Sequence, residues 1–578
     1  MRLSIPILAL ATTLCLPALP ACSSCGDQRA DGVEAGAAVE APVPAPDGLL
    51  AEGWIRAPDA TWSRVQQGVS GAVALLPPSA GELACAFAGL EPHLAPLVDG
   101  KATSTFALAD AGDGVVAWAV ALPLTDPATA TAMLVDGGDA QPSRYTSREE
   151  GGMRILAGRE RPLSTAVALA RGWLILARSD QDLTRLGPYL VRTMPVRTAP
   201  PSASSIIAVA PHSALAGPLA SWLGAGWGSA RGWLAARDDE QRAQHGGRPP
   251  DFGDPRAILD ALDVVVKRRL ELVADAQSAR LEIDAQDDDL RADLFVTPGQ
   301  GEAGAGLVAS MRPGDAKPMA GAPADGLLAM MVRDDAEARA DDAREIEAAV
   351  DRTLGARLHE EDSRAVHAAV DDWSRARGDW LSVGVAWDVV APARGLWLRT
   401  PATSGDAAAQ AVRELVELTR RPPLADLLAG TLRLGPPAIA PAQVPGLGTA
   451  TLATFRPAQP AKAGRSPGGV DVPLGVGWAV HDGDLLVAMG QGAPRLLSGG
   501  ASPARRLGDD ARSARLLSAL GATVTFALLA QPLRLDPGRP AQDAPALLAW
   551  GRREGDVWAR LELADALLRE LIRLEAGL

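Results

Sequence analysis

Cysteine is scarce in this sequence of 578 residues. It contains only 4 cysteines, and Cys15, Cys22 and Cys25 all lie close to the start, which leaves Cys85 alone in the rest of the chain. The pair Cys22 and Cys25 has no second pair to complete a zinc site and no strand-to-helix context for a redox site. The fold must therefore be stabilised by its apolar core, for which the chain is long enough.

An excess of basic charge is also missing. The chain has 56 Lys and Arg against 70 Asp and Glu, a net charge of −14. Nucleic acids and anionic membrane faces reward clustered positive charge, so this balance argues against both as binding targets.

A long uninterrupted apolar run is the third missing feature. The opening stretch LSIPILALATTLCLPAL, from Leu3, is apolar but is broken by Pro6 and Pro17. It is too short and too interrupted for a membrane-spanning helix. With Arg2 before it, residues 1–21 have the order of a secretory signal peptide.

Leu19, at the end of this stretch, and the next residues Pro20, Ala21 and Cys22 together resemble the lipobox of bacterial lipoproteins. The resemblance implies cleavage before Cys22 and a lipid on its sulfur, which would anchor the protein in the bacterial cell envelope, on the outer-surface side of the cytoplasmic membrane or in the outer membrane. Cys25 is then a bystander. The mature chain weakly resembles uncharacterised exported bacterial proteins with duplicated strand and helix units, a resemblance that implies no activity.

Residues 22–46 are expected to form the lipidated cysteine and a disordered tether. The stretch from Gly26 to Asp47 has neither helical nor strand periodicity and little that it could bury. A flexible coil of that length spans roughly 25 Å.

An internal duplication is predicted from repeated letters. DGLLA occurs at Asp47 and again at Asp325, and further strand and helix patterns follow in the same order after each copy. Their starting residues, in matched order, are Ser104 with Asp379, Gly172 with Gly483, Ser204 with Thr523, and Ser278 with Pro545. We expect an α+β fold of two similar halves, residues 47–320 and 325–578, each a mainly antiparallel sheet, flat or curved, packed with helices.

Strands in which polar and apolar residues alternate, such as Arg280 to Asp284, predict sheets with one face in water. Helices should cover the other face. The clearest runs from Asp334 to Ala376, with a bend expected at Gly355. The first half carries a helical insertion near residues 219–274, where Asp254 and Pro255 form a helix start.

No catalytic, cofactor or metal residue is assigned. GQGEAG, from Gly299 to Gly304, has dinucleotide-loop spacing but follows a hairpin, so it is interpreted as a loop. His359 and His367 are eight apart, not the four of a zinc-protease helix, and are interpreted as a solvated face. Asp287 to Asp289 lack the spacing of a calcium loop and are interpreted as a turn.

Tryptophan is unusually common, with 14 Trp against 2 Tyr. Trp222, Trp227 and Trp233 could lie on a membrane surface, but their segment lacks a basic face, so packing in the core is the preferred interpretation. Core positions are also expected for the four tryptophans in strands, Trp173, Trp478, Trp550 and Trp558.

The sequence thus favours a non-enzymatic, lipid-anchored envelope protein that binds a partner protein or an apolar ligand. A lipid carrier or sensor with an apolar channel is one alternative. A hydrolase of envelope polymers is the other, because catalytic residues can be dispersed in sequence.

Overall fold

The computed structural model describes residues 41–68, 77–112, 114–136, 143–244, 255–286, 289–355, 357–387, 394–431, 434–456, 474–501, 503, 505–535 and 544–575. The predicted signal peptide, Cys22, Cys25 and residues 26–40 of the predicted tether lie outside these ranges, as does Asp254.

Twenty strands occur in the described residues. The first ten are β1 (Leu49–Ile55), β2 (Ser104–Asp110), β3 (Val116–Pro123), β4 (Tyr145–Glu150), β5 (Met153–Gly158), β6 (Ala166–Ala170), β7 (Trp173–Ala177), β8 (Ile206–Pro211), β9 (Ser278–Gln286) and β10 (Asp289–Thr297). The second ten are β11 (Leu328–Arg333), β12 (Trp380–Trp387), β13 (Arg394–Pro401), β14 (Ala438–Val444), β15 (Gly448–Thr454), β16 (Leu474–His481), β17 (Asp484–Gln491), β18 (Val524–Ala530), β19 (Ala546–Arg553) and β20 (Asp556–Ala564).

Sixteen α-helices accompany them. They are α1 (Pro58–Gly68), α2 (Ala80–Ala88), α3 (Pro127–Thr131), α4 (Asp180–Arg192), α5 (His212–Ala214), α6 (Ala220–Gln244), α7 (Pro255–Asp275), α8 (Glu302–Ser310), α9 (Lys317–Ala320), α10 (Ala336–Leu354), α11 (Glu360–Ala376), α12 (Gly405–Leu418), α13 (Pro422–Thr431), α14 (Ala493–Ala501), α15 (Ala511–Ser518) and α16 (Asp565–Glu575). The predicted α+β class with antiparallel sheet is confirmed, since every strand pairing with a defined register runs antiparallel.

The second ten strands repeat the pairing pattern of the first ten. β1 pairs with β2 and β8, β3 with β2 and β7, and β4, β5, β6 and β7 pair in sequence, as do β8, β9 and β10. Adding ten to each number gives the pairings from β11 to β20. This is the pattern that a duplication would produce; the common origin of the two halves stays a prediction.

The chain folds as two compact units. Among the described residues, the first unit contains those up to 226, those in 270–304 and those from 560 onward, and the second contains those in 227–269 and 305–559. The main change of unit, between 304 and 305, lies near the predicted boundary. Residues 227–269 of the helical insertion belong to the second unit and not to the first half predicted for them. The residues from 560 onward belong to the first unit and not to the second half.

In the first unit, helices pack on both faces of the sheet. Helix α4 begins where the Ser179 side chain accepts a hydrogen bond from the Asp182 amide. Its residues Leu183, Leu186 and Leu190 are fully buried against small side chains of the sheet. On the opposite face, Cys85 of α2 packs among leucines and valines of β5 to β7.

The polar face of β9 is not in water, contrary to the prediction. Glu282 and Asp284 are buried, with 7% and 4% of their surface exposed. The hydroxyls of Ser202 and Ser204 donate to Glu282, and that of Ser205 donates to Asp284. The alternating charges are therefore satisfied inside the unit, as buried polar groups must be.

In the second unit, α12 and α14 lie on opposite faces of the sheet. Val412 and Val416 of α12 pack over Trp478 of β16. Leu496 and Leu497 of α14 pack on the other side. Both helices cover β16 and β17 and their neighbours, at one end of the strand order.

The helix predicted from Asp334 to Ala376 is two helices, not one bent helix. α10 ends at Leu354, and α11 begins at Glu360 with His359 as its N-cap residue. Three acidic residues occupy the first turn of α11, where the helix dipole favours them. In the insertion, α7 begins at Pro255 as predicted.

The outermost strands of the described pairing pattern are poorly suited to pairing with another chain. β4 carries Arg148, Glu149 and Glu150, and β14 carries the exposed Pro441. Charges and proline at a sheet edge disfavour pairing with other chains. Separately, none of the helices in the described ranges combines the length and the apolar character needed to cross a bilayer.

Candidate ligand-binding face

The end of the predicted tether is bound to the first unit. The Val43 amide donates to the Thr193 hydroxyl at 3.0 Å, and that hydroxyl donates to the Val43 carbonyl at 2.7 Å. Arg192, at the end of α4, donates to the Ala41 carbonyl. The disorder predicted for residues 26–46 therefore does not extend to Val43.

The glycine motif encloses an aspartate. A Cβ at Gly299 would lie 2.0 Å from the Asp275 backbone oxygen, and one at Gly301 or Gly304 would lie 2.5 or 2.7 Å from its carboxylate oxygens. Asp275 therefore packs directly against all three glycines of the loop. The glycines are needed for this close approach.

His359 and His367 have different structural roles. His359 caps α11, whereas His367 contacts Asp351 of α10 at 3.0 Å, and Ser363 donates to the same oxygen at 2.8 Å. These contacts, chiefly the one from Ser363, lower the pKa of Asp351. Within the described ranges, no group of three or more His, Cys, Asp or Glu side chains could hold a metal ion. Asp287 and Asp288 lie outside those ranges, and Asp289 begins β10.

Cys85 is a small buried apolar residue, as predicted. Only 1% of it is exposed, and burial, with the nearby Glu82 charge, raises the pKa of its thiol to about 11. It therefore stays protonated at neutral pH, which is unsuited to a nucleophile.

The tryptophans divide into two groups. Trp478 and Trp558 are buried, as predicted, while Trp173 and Trp550 are half-buried. The core interpretation is wrong for Trp233 in α6, which is 45% exposed and has the Arg237 guanidinium over its ring at 5.3 Å. Trp222 and Trp227 are half-buried, and the Trp227 indole donates to Asp263.

Buried carboxylates in the first unit have partners of their own. Glu52 accepts from Tyr189 and Arg197, and Asp293 pairs with Arg291 and Arg560. Burial and the hydrogen bond to Glu52 hold the pKa of Tyr189 well above its usual value. These groups are arranged as ion pairs and hydrogen bonds that stabilise the fold.

A groove of about 310 Å³ lies between α11 and α12 in the second unit. Its polar groups include Asp372 and Arg375, an exposed ion pair at 2.5 Å, and Gln410, which donates to Glu414. An arginine stays protonated in proteins and cannot act as a base, so Asp372 and Arg375 do not form a proton-transfer pair.

The most extensive unexplained feature is an apolar face on the sheet of the second unit. Six strands in the order β17, β13, β12, β11, β18, β19 place one residue each in a row, because directly opposed residues of antiparallel strands point to the same side. The central row is Val487, Leu398, Val383, Met330, Leu528 and Leu548.

Two further rows flank it. One is Met489, Leu396, Val385, Leu328, Ala530 and Ala546, and the other continues across four strands as Leu381, Val332, Phe526 and Trp550. We call these sixteen residues the apolar face. Fourteen of them are half-buried, and Met489 and Leu548 are exposed, at 43% and 37%.

The other side of the same strands is closed. Ala329, Met331, Ala527 and Leu529, which alternate with residues of the apolar face, are at most 4% exposed. Trp478 and Leu485, on the same side as the apolar face but under α12, are also buried. The face is therefore the more accessible side of these strands.

In the first unit, the row equivalent to the central row has different side chains. It contains Phe106 where the second unit has Val383, and Gly53 where it has Met330. A Cβ at Gly53 would lie 2.3 Å from the Phe106 ring, so the ring lies across the glycine. Phe106, Ile206 and Ile283 form a small buried cluster there.

Sequence reasoning missed the apolar face because strand periodicity gives the side to which a residue points, not what covers it. A usable signal was present: β11 and β18, LAMMVR and VTFALLA, are apolar on both sides.

No protein-family model matches the chain, and no curated protein matches it either. Among solved structures, it is similar to the one titled "Structure of crystal form IV of TP0453", with 10% sequence identity and a TM-score of 0.21. The match covers 46% of this chain and 97% of that chain. At this level of similarity, fold and function have to be argued from the residues of the chain itself.

Proposed function

We propose that this protein is a non-enzymatic binding protein of the bacterial cell envelope, anchored by a lipid on Cys22, that binds an apolar ligand or partner on the apolar face. The observation that carries the proposal is the face itself. A large contiguous apolar patch that remains partly accessible marks an interaction site, and this one extends across six strands.

The chemistry of the face favours binding over catalysis. Its sixteen residues include no titratable side chain, so it offers no acid, base or nucleophile. Elsewhere, the buried carboxylates of the first unit are engaged by serine, tyrosine or arginine. In the groove between α11 and α12, Asp372 and Arg375 form an exposed ion pair and not a proton-transfer pair, so the envelope-polymer hydrolase has less support than binding.

A dye test addresses binding. Anilinonaphthalene sulfonate should fluoresce with the folded wild-type chain, and Leu528→Glu should weaken its binding about tenfold because a charge would enter the face. Ile346→Glu is the matched control, since Ile346 is 50% exposed on α10 and lies outside the face. Equal dye binding by both variants would remove the face as the site.

A separate test addresses the anchor. Intact-mass measurement of the protein from its native envelope should give a lipidated chain that begins at Cys22, and Cys22→Ser should abolish the lipid. An unmodified amino terminus would refute the anchor and leave the binding proposal standing.

A further inference from the structure

We infer that the occupant of the apolar face is the hydrocarbon chain of a lipid. This inference rests on the proposed function and narrows it from any apolar partner to one chemical class. Four features of the face support it: its lack of polar groups, its lack of charge, its dimensions, and its contrast with the first unit.

The face has almost nothing with which to form hydrogen bonds. Its strands lie between other strands, so their backbone groups pair within the sheet. At one edge of the face, Thr400 donates its hydroxyl to the Trp380 carbonyl. At the opposite edge, beyond Met489, the first polar residue is the exposed Gln491. Protein partners typically form about one hydrogen bond per 100–200 Å² of interface. A hydrocarbon chain needs none.

Charge points the same way. The chain is acidic, with a net charge of −14, so a protein partner chosen by electrostatics would be basic. The apolar face has no carboxylate to receive such a partner. An uncharged hydrocarbon is the complement of an uncharged face.

The dimensions fit a long chain. Six strands give five gaps of about 4.8 Å, so the central row extends over roughly 24 Å without a polar side chain. Met330 and Met489 can adapt to a flexible occupant. At one corner, the rings of Phe526 and Trp550 stack at 3.7 Å and present a flat apolar surface.

The first unit contains a natural comparison. There the Phe106 ring lies over Gly53 and is 9% exposed, so the side chain of the protein itself occupies the corresponding position. The second unit has Met330 and Val383 at these places. Other residues on that side of the first unit, such as Leu108 and Val120, are also apolar and half-buried. We therefore expect lipid to bind the second unit in preference to the first.

Photo-crosslinking in native envelope vesicles tests the inference. The full chain would carry benzoylphenylalanine in place of Met330, with a second variant labelled at Ile346 as control. A lipid-sized adduct at 330 that is absent at 346 is expected. A protein adduct at 330 would overturn the inference but retain the proposed function, and no adduct at 330 would overturn both.

Binding of parinaric acid, a fluorescent long-chain fatty acid, gives a second measurement on purified protein. Affinity should fall about tenfold in Val383→Glu and stay unchanged in Ile346→Glu. Circular dichroism would confirm that both variants are folded, and Val383→Phe, which copies the first unit, should also weaken binding. Unchanged affinity in both Val383 variants would contradict the inference.

Discussion

At the scale of single residues, Gly299 has the tightest contact in the glycine motif. A Cβ there would lie 2.0 Å from the Asp275 backbone oxygen, and backbone cannot move aside cheaply. We expect Gly299→Ala to lower the free energy of unfolding by about 1–3 kcal/mol, as overpacking does. Urea unfolding would measure it.

Gly306 is the control for that substitution. It lies in α8 with nothing within 4 Å of an added Cβ. Gly306→Ala should stabilise the protein by up to about 1 kcal/mol, because alanine favours the helix. Destabilisation by both changes to the same extent would show that the loop is not the cause.

Cys85 predicts a dependence of stability on alkaline pH. Its thiol pKa is raised from 9.0 to about 11 in the folded chain. The contribution of the buried, protonated thiol to the free energy of unfolding is complete below pH 9.0, where the folded and unfolded chains both hold the proton. It is lost as pH rises towards 11, because the thiol ionises first in the unfolded chain.

Cys85→Ala isolates this effect, since it removes the titrating group. The difference in unfolding free energy between wild type and variant should shrink by about 1–3 kcal/mol across that pH window. Parallel stability curves would contradict the assignment.

At the scale of elements, a buried ion network joins α10 and α11 to the start of β12. Asp334 accepts from Arg377 at 3.0 and 2.6 Å and from Arg339 at 3.3 Å. All three are buried, with 6–7% exposed. Arg339 also donates to the Ser374 and Gly378 carbonyls, so one guanidinium connects both helices to the turn that follows.

Asp334→Ala should therefore cost about 3–5 kcal/mol, because two buried guanidinium groups would lose their carboxylate. Asp341→Ala, which removes an exposed ion pair with Arg344 on the same helix, should cost less than about 1 kcal/mol. Thermal unfolding of the two variants would test the difference. Similar losses of stability in the two variants would mean that burying the ion network contributes little to the free energy of unfolding.

The elements were more predictable than their environment. Strands at Ser104, Gly172, Ser204, Thr523 and Ser278 were found where alternation and apolar runs placed them. Two errors came from tertiary structure: Gly355 precedes a helix break whose N-cap is His359, and the charges of β9 are satisfied by serines about 80 residues away. A single strand cannot reveal such distant partners.

At the scale of the whole molecule, the outer strands are the places where self-association by strand pairing would begin. β14 pairs with β15 on one side, and among the described strands it has no partner with a defined register on the other. Pro441, which lacks an amide donor, interrupts that edge. We expect Pro441→Val to promote self-association, seen as concentration-dependent growth in light scattering.

Ala440→Val tests whether strand propensity alone is responsible. It adds the same side chain at an exposed neighbouring position and retains the proline. It should leave the protein as soluble as wild type. If both variants associate, the added apolar surface of valine, and not the amide donor that Pro441 lacks, would be the cause of association.

The binding of Val43 to Thr193 limits how far the folded part of an anchored molecule can lie from the membrane. If Cys22 carries the lipid, 18 residues separate it from Ala41, and a chain of that length spans at most roughly 65 Å when fully extended. The carboxyl end of α4, which binds Ala41 and Val43, would then lie no farther than this from the bilayer surface.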